Sequence, residues 1–97
     1  MYDIDFSYDA LQDLMAFRKF EQQVILSGIN DQLVYEPTVE TRNRFRMRPN
    51  EIAEWELRIN NYRVFYNVAE AVQIVSIEVI GFKRGNQLFV RGKRRDL

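Results

Sequence analysis

The run Trp55-Glu-Leu-Arg-Ile-Asn-Asn-Tyr-Arg-Val-Phe-Tyr66 constrains the fold more tightly than any other part of the chain. Two alternating apolar and polar segments flank an Asn-Asn pair, and Asn tolerates the positive φ that a two-residue hairpin loop requires. A loop at Asn60-Asn61 pairs Ile59 with Tyr62, Arg58 with Arg63, Leu57 with Val64 and Trp55 with Tyr66. Trp55, Tyr62 and Tyr66 then face the core, while Arg58 stands directly opposite Arg63 on the other face. Like charges in that position destabilise a strand pair unless something anionic lies between or beside them. The hairpin therefore asks for a negative partner, either a ligand or a carboxylate of the chain itself.

Tyr2, Ile4 and Phe6 alternate with Asp3, Asp5 and Ser7 as in a short half-buried strand, and Ser7 or Asp9 can cap a following helix. From Ala10 to Leu33 the apolar residues recur at three- and four-residue steps. A break at Phe17-Arg18-Lys19-Phe20 divides them into two helices, and Ser27-Gly28 marks a weak point or a close backbone approach. Pro37 ends the helical part, and residues 38–50 read as an extended arm or loop. Ile74 to Phe82 is a β-branched strand for the middle of the sheet. Keeping Val75, Ile77 and Val79 on the core face sets Glu78 beside Arg63, where it can relieve the arginine pair. Lys83-Arg84-Gly85-Asn86 is a basic turn, Gln87 to Val90 a short strand, and residues 91–97 a basic, mobile tail. The expected fold is α+β: a short N-terminal strand and two helices packed on one face of a mostly antiparallel sheet of three to five strands, in a single domain over 1–97.

The zero net charge hides a division. Residues 1–40 carry eight acids against two bases, and residues 41–97 carry twelve bases against six acids, so one half is at −6 and the other at +6. Such asymmetry favours a polyanion on the basic side. In the arm, Arg42, Arg44, Arg46 and Arg48 alternate; if extended they share one side at a spacing of roughly 6.5–7 Å, near that of phosphates along a stretched single strand. Phe65, on the arginine face by its parity, is the candidate to stack a base. No cysteine or histidine is present, which removes thiolate chemistry and the usual acid–base pair of a metal-independent ribonuclease. Asp3 and Asp5 serve better as a charged strand edge than as a metal site, and no metal is expected. The four glycines form no phosphate loop or dinucleotide fingerprint, so no cofactor is expected either. No apolar run approaches a membrane span, and the chain reads as a cytoplasmic protein.

Leu57-Arg58-Ile59-Asn60-Asn61-Tyr62-Arg63-Val64-Phe65-Tyr66, taken with Val79-Ile80-Gly81-Phe82-Lys83-Arg84, resembles the RelE/ParE superfamily of bacterial toxin–antitoxin toxins. The family pattern of two strand arginines is followed about twenty residues on by a glycine and a basic residue; here Gly81 falls nineteen residues after Tyr62. The resemblance covers nearly the whole chain in order of elements and its second half in motif. It implies a microbial-ribonuclease-like domain neutralised by a cognate antitoxin, and it implies one of two activities. RelE-like members cut mRNA on the ribosome, whereas ParE-like members inhibit DNA gyrase without cutting anything. A catalytically inactive RNA-binding relative is a third outcome.

Carried over to this chain, the resemblance assigns Arg63 to the scissile phosphate, Arg58 to a neighbouring strand position and Lys83 or Arg84 to the basic turn. Glu56 stands where the family has a basic residue, and the tyrosine expected after the turn is missing, with Phe89 the nearest aromatic and the candidate to contact RNA in its place. Catalysis without histidine is then electrostatic: Arg58, Arg63 and Arg84 hold the charge that accumulates on the attacked phosphodiester. Arginine cannot act as a base, which leaves Glu56 slightly ahead of Lys83, with Glu78 a further candidate, for taking the 2′-hydroxyl proton. The antitoxin is expected to be acidic where it covers Arg42–Arg48 and apolar where it inserts a helix.

Overall fold

Alternation in the second half and helical spacing in the first resolve into one sheet with a helical layer. The computed structural model describes residues 1–97. Strand β1 (Asp3–Phe6) leads into helices α1 (Tyr8–Ala16) and α2 (Lys19–Leu33); strands β2 (Arg44–Arg46), β3 (Trp55–Ile59), β4 (Tyr62–Ala69), β5 (Ile74–Arg84), β6 (Gln87–Val90) and β7 (Lys93–Arg95) follow. The seven strands make one sheet in the order β2-β3-β4-β5-β6-β7, with β1 running parallel to β5 and every other pairing antiparallel. The three to five expected strands are too few, because β2 and β7 are three-residue strands carved from the presumed arm and tail.

Local chemistry accounts for the helix boundaries. Ser7 accepts from the Ala10 N–H at 3.0 Å, which caps α1. Glu21 accepts from the Arg18 N–H at 3.1 Å and opens α2. Gly28 is a close approach: a Cβ there would lie 2.5 Å from Ile59 Cδ1, so a larger residue at that position would have to displace the Ile59 side chain on β3.

The hairpin register is the one its alternation dictates: Trp55 pairs with Tyr66, Leu57 with Val64, Arg58 with Arg63 and Ile59 with Tyr62, and Asn60 takes φ 52°. The parity of β5 differs from expectation. Phe65 pairs with Val79 but Tyr66 with Ile77, so Glu78 is an extra, bulged residue and the strand changes face there. Val75, Ile77 and Ile80 join the main core under the helices, whereas Val79 joins Phe65, Ala53, Leu88 and Val90 in a second cluster on the far face. Gly81, not Glu78, is therefore the partner of Arg63, and Glu78 accepts from Asn67 Nδ2 at 3.4 Å instead.

One edge of β5 is shared by β1 as far as Ile77 and by β6 from Phe82 onward. Side chains fill the gap between them. The Ser7 hydroxyl donates to Glu78 O at 2.8 Å, and the buried Asp13 accepts from the Ile80 N–H at 3.0 Å and from Arg91 Nη1 at 2.7 Å. Asp13→Asn keeps an acceptor for Ile80 but loses the charge against Arg91, an exchange expected to cost about 1–2 kcal/mol. A lower denaturation midpoint at constant slope checks it.

Beyond β6 the chain turns through Arg91 (φ 51°) and Gly92 (φ 75°), and Val90 pairs with Lys93. This two-residue loop repeats the hairpin logic of Asn60-Asn61 and makes a strand of what reads as a mobile tail. No helix is long and apolar enough to cross a membrane.

Candidate nucleic-acid interface

The sheet face opposite the helices gathers the charged residues of the hairpin. Because β3 and β4 keep strict alternation, Glu56, Arg58 and Arg63 project to this far face together with Phe45, the partner of Glu56 on β2. Both arginines converge on one carboxylate oxygen. Glu56 Oε2 lies 3.0 Å from Arg58 Nε and 3.4 Å from Arg63 Nε, so the anion the hairpin demands is Glu56, in place of the expected Glu78. The Glu56 and Arg63 side chains retain only 11% and 13% of their exposure, whereas Arg58 keeps 43% and lays its guanidinium 4.7 Å from the Phe45 ring centroid.

Arg63 is held further by Nη1, which donates to Asn60 O at 2.8 Å and to Tyr62 O at 3.0 Å. Its Nε makes no hydrogen bond despite being buried. Burial lowers the Arg63 pKa, the neighbouring Arg58 charge lowers it further, and Glu56 opposes both. The guanidinium nevertheless stays charged at any physiological pH.

A cleft of about 450 Å³ opens beside this group, bordered by Glu56, Arg63, Lys83, Arg94, Arg95 and Met47. Arg94 and Arg95 are the residues that sequence reasoning missed, for they arrive on β7. The signal was present in Arg91-Gly92, a positive-φ loop directly after a strand. With Asp96 also at the cleft, Arg63, Lys83 and Arg95 face two carboxylates there, while Arg94, paired with Phe89, reaches the rim from the other face of β7.

The remaining candidates are scattered. Phe65 is 1% exposed inside the far-face cluster and cannot stack a base. Phe89 pairs with Phe82 and stacks on it at 5.5 Å, and Arg84 lies 6.0 Å from the Phe89 ring centroid. Phe82 also meets Phe17 at the helical layer, which places Phe82, Phe89 and Arg84 on the helix side, away from Glu56 and Arg63. A separate cleft of about 300 Å³ lies there, bordered by Phe17, Phe82, Phe89 and Arg91. Beside it Tyr62 donates to Glu21 at 2.9 Å; the Arg18 N–H and then this hydroxyl lower the Glu21 pKa, while burial and then Glu21 raise that of Tyr62.

The arginines of the presumed arm do not form a track. Arg44 is 5% exposed, donating from Nε to Val39 O at 2.7 Å and from Nη1 to Gln32 O in the last turn of α2. Arg46 lies 5.1 Å from the Trp55 ring centroid and 3.7 Å from Glu54. Only Arg42 and Arg48 are exposed without such a partner, because Arg44 and Arg46 of β2 point to the helix side and Asn50 coils the segment after them. No group of three or more Asp and Glu residues is placed to hold a metal.

No family model matches this sequence, and no curated protein matches it. Its architecture is nevertheless shared with solved structures. A chain of the toxin–antitoxin complex RelBE2 from Mycobacterium tuberculosis superposes with a TM-score of 0.72 at 20% identity, over 84% of this chain and 98% of that one. A chain of the archaeal RelE-RelB complex from Pyrococcus horikoshii OT3 gives 0.67 at 21% identity, over 87% and 96%. The two helices on a mostly antiparallel seven-stranded sheet are thus a RelE-like α+β fold.

Proposed function

We propose that this chain is the toxin of a type II toxin–antitoxin module and that its far-face cleft acts on the phosphodiester backbone of mRNA on the ribosome. The observation that carries the reading is the convergence of Arg58 and Arg63 on Glu56 beside Lys83, Arg94 and Arg95. The RelE-like fold and the source of its two structural neighbours, both complexes with a second component, support it and a cognate antitoxin partner. Both contacts of Glu56 run through Oε2, leaving Oε1 to take the proton of an RNA 2′-hydroxyl. The 2′-oxygen bonds to phosphorus, the P–O5′ bond breaks, and the departing oxygen takes a proton from Lys83. Arg58 and Arg63 bind the negative charge that builds on the phosphoryl oxygens.

The experiment is to add the protein to translating ribosomes and map transcript ends. New ends within translated codons support the reading, and intact messages at a concentration that stops translation reject it. One observation favours the second reading, a gyrase inhibitor that cuts nothing: Glu56 already neutralises both arginines, and Arg84 and Phe89 face away from them. Loss of supercoiling activity with intact messages would select it.

A further inference from the structure

The far face holds a row of cations that crosses the sheet obliquely to its strands. Arg58 pairs with Arg63 and Arg63 with Gly81, while Lys83, two residues along β5, pairs with Leu88 and Leu88 with Arg95. Arg58, Arg63, Lys83 and Arg95 therefore share one face on β3, β4, β5 and β7. Four inter-strand steps of about 4.8 Å and the two-residue shift along β5 separate the ends, a span of about 20 Å. Phosphates of a stretched single strand follow each other at roughly 6–7 Å, so the row spans about three phosphate-to-phosphate steps.

The two ends of the row differ. Lys83 and Arg95 have no acidic partner within 4.0 Å, whereas Arg58 and Arg63 share Glu56. A phosphate arriving at the arginines meets the Glu56 carboxylate in a half-desolvated site, where one like charge a few Å away costs on the order of a tenfold loss of affinity. A phosphate at Lys83 or Arg95 meets no carboxylate already paired with the cation, only Asp96 elsewhere on the cleft wall; the two residues stand two strands apart, about 9.6 Å, so a lone phosphate there meets one cation and is held weakly. We infer that Glu56 is a resident counter-ion that makes this track selective for single-stranded RNA of about three or more phosphates, because a lone phosphate cannot overcome it and a strand anchored at Lys83 and Arg95 can. The inference rests on the proposed action on RNA and names the form of RNA the cleft accepts.

The test uses fluorescein-labelled 2′-O-methyl oligouridylates of increasing length, which bind but cannot be cut, with uridine monophosphate and inorganic phosphate as competitors. Affinity is expected to climb steeply up to about four nucleotides and then flatten, with neither competitor displacing the probe at millimolar concentration. Glu56→Gln should tighten the tetramer about tenfold and turn uridine monophosphate into a measurable competitor. Glu56→Lys, the second variant, should tighten it further and steepen the salt dependence by about 0.7 in log–log slope, one added phosphate contact. Competition by the monophosphate against the unaltered protein, or no tightening in either Glu56 variant while the oligomers bind, overturns the inference and leaves the RNA reading standing. Absence of binding at every length, in folded wild-type protein and in both variants, also overturns the inference, while transcript-end mapping on ribosomes decides the RNA reading by itself.

Discussion

Arg63→Ala is expected to lower transcript cleavage on ribosomes about 10²–10³-fold, the loss seen when one preorganised donor is removed from a site of developing negative charge. Arg63 is the better anchored of the two arginines: Nη1 is fixed by the carbonyls of Asn60 and Tyr62, and the side chain is mostly enclosed. Such anchoring means the donor needs no reorganisation as charge develops on the phosphate. Arg58 is more exposed and rests on Phe45, so Arg58→Ala should cost less than Arg63→Ala. The fold should tolerate the loss of Arg63, because truncation also relieves the Arg58–Arg63 repulsion and leaves Glu56 paired with Arg58 at 3.0 Å. A denaturation midpoint close to wild type, with cleavage nearly abolished, is the expected pair of results. Undiminished cleavage by a folded Arg63→Ala protein would show that the chemistry lies elsewhere.

Legibility of the fold followed the range of the interactions that determine it. The β3–β4 hairpin, the Ser7 cap and the break before Lys19 were readable because a few adjacent residues decide each: alternation, a hydroxyl three residues before a free N–H, an interruption of helical period. The face of Val79 was not readable, since the bulge at Glu78 is imposed by a tertiary arrangement in which Ser7 and Asp13 occupy the edge of β5 between β1 and β6. That one inserted residue moved Val79 to the far face and gave Arg63 a glycine neighbour in place of a glutamate. The site was half legible for the same reason. Arg58, Arg63 and Glu56 follow from hairpin parity, whereas Arg94 and Arg95 depend on recognising β7, and the placement of Arg84 and Phe89 depends on parity after the bulge.

Arg44→Ala is expected to destabilise the protein by about 2–4 kcal/mol, roughly 10–25 °C in Tm for a chain of this size. Alternating arginines at 42, 44, 46 and 48 look equivalent in sequence, yet the pairing of Arg44 with Leu57 turns its side chain under the sheet toward the end of α2. There the guanidinium bridges Val39 O and Gln32 O with no carboxylate partner, and the negative end of the helix dipole and the two carbonyls are its counter-charge. No basic residue occupies the last turn of α2 itself, so Arg44 provides this cap from a strand. The Tyr66 hydroxyl, donating to Pro37 O at 2.6 Å, pins the same connector, and burial raises its pKa far above the usual range. Truncating Arg44 would remove the charged donor from both carbonyls at once and leave a gap where its buried guanidinium lay. Arg44→Lys should recover only part of the loss, because an ammonium lacks the planar fork that reaches both carbonyls. Arg42→Ala and Arg48→Ala, at exposed positions, should stay within about 0.5 kcal/mol of wild type. Oligonucleotide affinity measured well below the Tm of the Arg44→Ala protein should keep the wild-type salt dependence, since Arg44 neutralises no phosphate. A salt slope reduced by about 0.7, with stability unchanged, would return Arg44 to the nucleic-acid surface and overturn its role as the cap of α2.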